Sequence, residues 1–423
     1  MTSNLDQARA TLRANDRGGY TVPNGRIYPF QWNWDSAFVA MGWATFDAAR
    51  AWREVETLLE GQWDDGMIPQ IVFHAASDDY FPGPDVWGTT PQSPRTSGIT
   101  QPPVLATAAR AVFDADPAGE DRMATIYKRL LRNHRWWERA RDPARRGLVA
   151  TLHPWETGMD NSPAWDLPLQ RVPTTTETKI VRRDTAHVDP AMRPRQEDYA
   201  RFIHLVDHYR NCGWDPARML ATTPFKVADI GTNAILLRAE RDLRELARRF
   251  GSPADQAEIG ERVERMARAI PALWHDPLGL FVSRDLLREA PIPVGTSAGL
   301  LPPYAGVGLD HLAPLCETLA RWAGTVRFLV PSTDPADPAF EKMRYWRGPV
   351  WAVVNWMIAD GLGRAGQHGW ADRIRADTRI CMEGAGFSEY FDPVTGHGLG
   401  GADFSWTAAI GLLLAEGRHA ASG

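Results

Sequence analysis

Four acids stand on or near one short stretch, residues 153–166 (HPWETGMDNSPAWD): Glu156, Asp160 and Asp166 within it and Asp142 upstream. They are interleaved with Trp155, Met159 and Trp165, and Gly158 and Pro163 break any helical or strand period. Carboxyl groups set among aromatic rings on an irregular loop suit proton transfer at a sugar. The ring face packs against the apolar side of a pyranose, and the carboxyl moves the proton. The plainer alternative is a loop whose tryptophans anchor it to the core.

Three further stretches repeat this mix. YPFQWNWDSAF, residues 28–38, places Trp32, Trp34 and Asp35 at the mouth of a helix. YWRGPVW, residues 345–351, puts three aromatics and Arg347 before an apolar segment, with Pro349 at a natural first-turn position. GFSEYFDPVTG, residues 386–396, sets Glu389 between Phe387 and Tyr390. All of these lie beside predicted helix ends, so a ring of helices gathers them at one end.

Other motifs carry less. GTSAG around Ser297 has the letters of a nucleophile elbow, but it follows APIPV and runs into Pro302 and Pro303, where the elbow needs a strand and then a helix. GLGRAG, residues 361–366, with Glu383 beyond it, has the letters of a dinucleotide fingerprint. The preceding segment spaces Trp351, Val354 and Ile358 like a helix, so Gly361 is expected to cap that helix rather than to cradle a phosphate. His204 and His208, with Asp207 beside them, share a helix face but lack a third metal ligand, which favours a polar surface.

The elements that must position these residues are helices. Apolar spacing predicts about a dozen: 5–15, 35–46, 51–62, 102–114, 121–141, 196–212, 232–250, 255–274, 310–323, 349–360, 366–382 and 403–416. Segments 349–360 and 403–416 are nearly apolar and read as buried on all sides, whereas GWADRIRADTR is amphipathic and reads as an outer layer. This alternation fits two concentric rings of helix hairpins. Strand signals are confined to 66–73 and 279–283, and no βα repeat is present. Two stretches, 81–103 and 167–195, are too long for plain connections and read as loops over a site. No linker divides the chain, so one domain over residues 1–423 is expected.

Composition narrows the class. The chain is 44% hydrophobic and 23% charged, which is globular rather than disordered, and its net charge of −5 speaks against nucleic-acid or anionic-membrane binding. It has 18 tryptophans, many in loops beside Pro, Gly or acids, a placement that favours ligand contact. Cys212, Cys316 and Cys381 are too scattered for a disulfide framework. The first residues lack an apolar signal region, and no run reaches membrane-span length. A cytoplasmic protein follows as the expectation. Oligomeric state stays open, a homo-oligomer included.

Together, WETGMDNSP and YWRGPVW, in that order, resemble glycoside hydrolase family 63, particularly its short bacterial branch of mannosylglycerate and glucosylglycerate hydrolases. The resemblance runs from Tyr28 to about Trp406. It implies an all-α fold, an (α/α)6 barrel with long active-site loops. It also implies no cofactor or metal, a small-molecule glycoside as substrate, and hydrolysis of a small anionic α-glycoside with inversion. Asp160 matches the general acid and Glu389 the general base. Trp34, Asp35, Trp155, Arg193, Tyr345, Trp346 and Trp351 match positions enclosing the sugar. Tyr28, Trp32, Tyr80 and Gln101 match the part that holds glycerate. Arg195 competes with Arg193 for its place. The family has Arg after DNSP where this chain has Ala164, and the 167–195 loop diverges. Bottom-up chemistry agrees with the roles: Trp155, Met159 and Trp165 can desolvate Asp160 and favour its neutral form. Glu156, the rival acid, is expected to make a loop-fixing hydrogen bond. The alternatives are an α-glucosidase acting on neutral small glucosides, a non-catalytic sugar-binding toroid, and an NAD-dependent oxidoreductase.

Overall fold

The computed structural model describes residues 4–89, 93–186 and 188–420; the chain ends and parts of both long loops, at 90–92 and 187, lie outside the described residues. Helices α1 (Asn4–Asn15), α2 (Asn33–Ala44) and α3 (Ala48–Glu60) come first, followed by the one-turn α4 (Pro84–Trp87). Next are α5 (Leu105–Ala115), α6 (Glu120–Arg141), the short α7 (Asp166–Leu169), α8 (Gln196–Asn211) and α9 (Pro216–Thr222). The rest are α10 (Ile230–Phe250), α11 (Pro253–Ala269), α12 (Leu312–Ala323), α13 (Ala352–Arg364), α14 (His368–Ala385) and α15 (Ser405–Ala420).

Local chemistry sets several helix starts. Asp47 accepts from the Arg50 amide at the head of α3, and buried Asp229 accepts from the Gly231 and Thr232 amides at the head of α10. Ser252 and Asp255 form a reciprocal capping box on α11, with Pro253 in the first turn. Each cap satisfies amides that the first turn leaves orphaned.

The helices close a ring of contacts: α2 on α5, α5 on α10, α10 on the 3-10 turn Pro302–Ala305, that turn on α13, α13 on α15, and α15 back on α2. Outside it, α1 packs on α15, α3 on α2, α6 on α5, α11 on α10 and α14 on α13. Burial follows this order. In α2 every residue from Asn33 to Trp43 is buried, whereas α14 buries one face only. A second apolar cluster, around Trp87, Trp155, Trp214 and Phe202 of α8, sits under the loops.

Strand structure is sparse. Strands β1 (Gln31–Trp32), β2 (Ile71–Phe73) and β3 (Arg95–Thr96) make one antiparallel sheet in that order. It carries Trp32 itself and lies beside Gln70 and Gln101. Among the described residues no helix is long and apolar enough to cross a membrane, and the three cysteines are free thiols.

Two local expectations are corrected. Helix α13 begins at Ala352, because Val350 bridges to Pro331 and to Phe391 and holds Pro349 outside the helix. It then runs through Gly361 to Arg364. Gly361 is an interior position of close approach, where a Cβ would lie 2.4 Å from the Tyr304 backbone nitrogen. The left-handed glycine after the helix is Gly366, at φ 80°. The dinucleotide letters therefore lie within and just after a helix. Ser297 likewise opens a 3-10 turn, not a strand-to-helix elbow.

Candidate active site

The four acids of residues 153–166 and their neighbourhood separate by partner. Asp142 accepts from the Arg146 and Gly147 amides, at 2.8 and 2.7 Å, and fixes a turn. Glu156 is fully buried; it accepts from Arg141 Nη2 and from the Leu152 amide, each at 2.7 Å, the loop-fixing role expected of it. Asp166 takes a bidentate pair of 2.8 Å bonds from Arg347. Of the four, Asp160 is the one that lines the aromatic cavity.

Asp166 and Asn161 also explain how distant segments meet. Asn161 Oδ1 accepts from the Trp346 amide at 2.9 Å, so side chains of this stretch bind YWRGPVW at two points. A bidentate carboxylate–guanidinium pair adds orientation as well as attraction. Gly158 makes the loop's tight approach possible: its φ is 71°, and a Cβ there would stand 2.8 Å from the Trp34 ring.

All the sequence-identified residues but one line the same cavity. Its floor is Trp34, edge-on to Trp406 at 5.3 Å and tilted against Trp346 at 6.1 Å. Trp155, Asp35 and Tyr345 continue that wall. A second corner is built by Tyr28, Trp32 and Tyr80, with Trp32 edge-on to both tyrosines at 5.3 and 5.2 Å. Gln101 lines the cavity too, and its side-chain oxygen accepts from the Trp34 amide at 3.4 Å. Trp351 stands one layer back. It stacks on Trp346 with centroids 3.7 Å apart and planes 3° from parallel, so it holds the wall flat from behind.

Arg193, not Arg195, enters the site. Arg195 is paired with exposed-side Glu341 at 2.6 Å, whereas Arg193 is buried in the cavity wall. Its Nη2 donates to the Tyr28 hydroxyl at 2.7 Å, and its Nη1 lies 3.5 Å from Glu389 Oε1. Tyr28 passes its own proton on, donating to Glu389 Oε1 at 3.0 Å. The other carboxylate oxygen accepts from the Gly401 amide at 3.1 Å. Gly400 has to be a glycine here, since a Cβ would lie 2.3 Å from Glu389 Oε2. The Tyr28 hydroxyl is thus committed to the Glu389 side of the site, and reaches an aglycone carboxylate only by giving up that bond.

These contacts divide the two acids. Burial raises Asp160, Arg193 works against it, Glu389 and Asp184 add to it, and the carboxyl ends at about 8. Burial leaves Glu389 above its ordinary value as well, but Arg193 and hydrogen bonds from Gly401 and Tyr28 offset part of that rise by favouring its charged form. Burial first, and then the neighbouring carboxyls Glu389 and Asp160, hold Asp35 well above the usual carboxylate range. One carboxyl is therefore kept neutral near pH 7 while another is furnished with donors for its anion, the division of labour acid–base catalysis needs.

Several lining residues escaped the sequence reading. Phe404 and Trp406 sit at the start of the last predicted helix, in FSW, an aromatic-rich mouth like that of residues 28–38. Gln70 was hidden in an apolar strand pattern, and Tyr199 passed as a core position of α8. Asp184 lies in the loop without a period, and no local signal marks it. Four buried polar atoms of the cavity wall have no hydrogen-bond partner among the described residues: Gln70 Oε1, Trp346 Nε1, Trp406 Nε1 and Arg193 Nη1. Unpaired buried polar groups in one cavity call for a ligand that brings hydroxyls or charge. His204 and His208 are elsewhere; they bond the Thr175 carbonyl and the Thr222 hydroxyl. No group of three or more His, Cys, Asp or Glu placed to hold a metal ion occurs among the described residues.

Comparison with known proteins adds to this geometry. A family model described as the mannosylglycerate hydrolase MGH1-like glycoside hydrolase domain matches residues 28–407. The mannosylglycerate hydrolase of Thermus thermophilus is 49% identical over 413 residues, covering 96% of this chain and 99% of that protein. The glucosylglycerate hydrolase of Mycolicibacterium hassiacum is 36% identical over 434 residues, covering 96% of each. A crystal structure of a family 63 mannosylglycerate hydrolase from Thermus thermophilus, in complex with Tris and D-glycerate, aligns with a TM-score of 0.94. Its sequence identity is 48%, with 98% of this chain and 100% of that chain covered.

Proposed function

This chain belongs to the mannosylglycerate hydrolase MGH1-like glycoside hydrolases, and from that premise we propose that it hydrolyses the α-glycosidic bond of glucosylglycerate or mannosylglycerate, releasing free hexose and glycerate with inversion. The observation that carries the reading is the pair of carboxyls lining one aromatic cavity, Asp160 held neutral and Glu389 supplied with donors for its anion. Asp160 protonates the glycosidic oxygen as its bond to the anomeric carbon breaks. Glu389 takes a proton from the water that attacks the opposite face. Both events belong to one step. Glycerate leaves as the alcohol, and the sugar leaves with its anomeric hydroxyl on the other side.

The Trp34, Trp346 and Trp406 surface receives the apolar face of the pyranose, with Trp351 behind it. Asp35, Trp155, Tyr345 and Arg193 meet its hydroxyls. The corner of Trp32 and Tyr80, with Tyr28 and Gln101, takes glycerate; its donors and the buried guanidinium of Arg193 suit an anion. The ring of helix contacts supports an (α/α)6 barrel in which the Pro302–Ala305 turn takes one inner station. Absence of a dividing linker supports one domain, and the three free thiols support a cytoplasmic setting.

A substrate panel tests the assignment: glucosylglycerate, mannosylglycerate, glucosylglycerol and maltose, with free sugar as readout. The two glycerates should be turned over, with glucosylglycerol lower by about tenfold or more, the worth of one or two charge-assisted hydrogen bonds at about 1.5–3 kcal/mol each. Equal kcat/KM on glucosylglycerol and glucosylglycerate would favour the second reading, a neutral α-glucoside. That reading draws on the Asp184 carboxylate in the cavity wall, which an anion has to approach.

A further inference from the structure

We infer that Asp184 is a positioning residue for both halves of this site: it clamps the Arg193 guanidinium so that one edge serves Tyr28 and another faces Glu389. This rests on the reading of Asp160 as acid and Glu389 as base. A chain of contacts carries it. Arg182 grips Asp184 with two bonds of 2.6 Å, Nε to Oδ1 and Nη2 to Oδ2. Asp184 Oδ2 in turn accepts from Arg193 Nε at 3.3 Å. Arg193 Nη2 continues to Tyr28 at 2.7 Å, and Tyr28 continues to Glu389 at 3.0 Å. With Nε held by Asp184 and Nη2 by Tyr28, the planar guanidinium has no rotational freedom left. Its third edge, Nη1, is buried beside Glu389 and has no hydrogen-bond partner among the described residues.

The clamp is itself braced. Arg182 donates from both Nη1 and Nη2 to the Pro194 carbonyl, each at 3.2 Å, and its guanidinium lies 4.2 Å over the Tyr199 ring. Arg182 therefore ties the two ends of the segment 182–194 together, with Asp184 in the middle of the knot. Arg344 Nη1 donates to the Arg193 carbonyl at 2.7 Å, and the Tyr390 hydroxyl donates to the Met192 carbonyl at 2.8 Å, so the backbone under Arg193 is pinned from the far side.

Position and charge act together. Burial works to raise the Asp184 carboxyl, but the Arg182 hydrogen bonds and the Arg193 charge outweigh it, and the group sits below its usual range. It is ionised whenever the enzyme works. The charged side chains that act on Asp160 are Arg193, Glu389 and Asp184, beside a backbone hydrogen bond that lowers it, and Asp35, Tyr80 and Tyr345 feel the Asp160 carboxylate when it ionises. Arg193 alone among these side chains lowers Asp160, and Asp184 partly neutralises Arg193. Removing the Asp184 charge takes away its repulsion of ionised Asp160 and leaves Arg193 with Glu389 as its carboxylate partner, so Asp160 gives up its proton at lower pH.

The test is the pH profile of kcat/KM, whose alkaline limb reports the essential acid of the free enzyme. In the native protein that limb is expected near 8. Asp184→Asn should move it to lower pH by about one pH unit, the lower end of what a single nearby charge does. Asp184→Glu restores the charge and should return the limb toward the native position. Arg182→Gln removes the brace but keeps the carboxylate, and should move the limb to higher pH; it keeps the proposal testable if Asp184→Asn does not fold. A limb that stays in place in Asp184→Asn while KM and melting temperature change would make Asp184 a loop staple only and overturn the inference. So would a downward shift in Arg182→Gln. If the native protein releases no sugar from any glycoside of the panel, the assignment of function fails instead, a separate result.

Discussion

Asp160→Asn should lower kcat/KM on the glycerate glycoside by about 10²–10⁴, the usual worth of a positioned general acid. The loss should shrink sharply when the same sugar is offered as its α-fluoride. The native carboxyl is neutral up to about 8 because burial and the charges of Glu389 and Asp184 outweigh Arg193, so it has a proton to give at working pH. The amide has none that a leaving alkoxide can take. Glycerate leaves through an alcohol oxygen and needs that proton, whereas fluoride departs with little help. Asp160 lines the cavity and is half-buried, and the Asn substitution keeps its size, so loss of fold is not the expected cause. An equal loss on both substrates would show that Asp160 acts by binding, not by protonating the leaving oxygen.

Glu389→Gln should be as damaging, about 10²–10⁴, and a better leaving group should not repair it. Its carboxylate is held by Tyr28 on one oxygen and by the Gly401 amide on the other. The amide cannot take a proton from water, and its nitrogen, if turned toward Gly401, would meet that amide as a donor facing a donor. Two kinetic patterns thus separate the two carboxyls: one defect relieved by fluoride, the other not. If fluoride rescued both variants equally, the division of labour between Asp160 and Glu389 would be wrong.

Much of this site was legible from local pattern, and the limits of that legibility have physical causes. The long helices announce themselves because burying one face imposes a 3.6-residue period, and all twelve expected segments correspond to helices within a few residues at either end. The turns α4, α7 and α9 escaped because four to seven residues carry too little period. Start positions slipped where a long-range contact overrode a local preference. Pro349 has the geometry of a first turn, yet its neighbour Val350 pairs with Pro331 and Phe391, and the helix waits until Ala352. Gly361 looks like a terminus in one dimension and is a close contact with Tyr304 in three.

The acids show the same boundary. Glu156 and Asp160 are four residues apart in equal aromatic company, and what separates them is Arg141, whose pairing with Glu156 no local rule foretells. Asp160 was distinguished by its place in a family motif. Asp184 had no such place, and only the fold brings it to Arg193. Trp351 shows the converse. Its neighbours Tyr345 and Trp346 line the cavity, and stacking puts Trp351 behind them, a distinction of one layer that spacing along the chain does not carry.

The central claim, a single displacement by water with Asp160 as acid and Glu389 as base, is tested most directly by the first sugar anomer released. An α-glucosylglycerate or α-mannosylglycerate is hydrolysed in an NMR tube with enough enzyme to outrun mutarotation, and the anomeric proton is followed from the first minute. Water arriving on the face opposite the departing glycerate produces the β-sugar, which then drifts to the equilibrium mixture. Initial release of the α-sugar would require a covalent glycosyl intermediate and a second inversion, and would contradict Glu389 as the base.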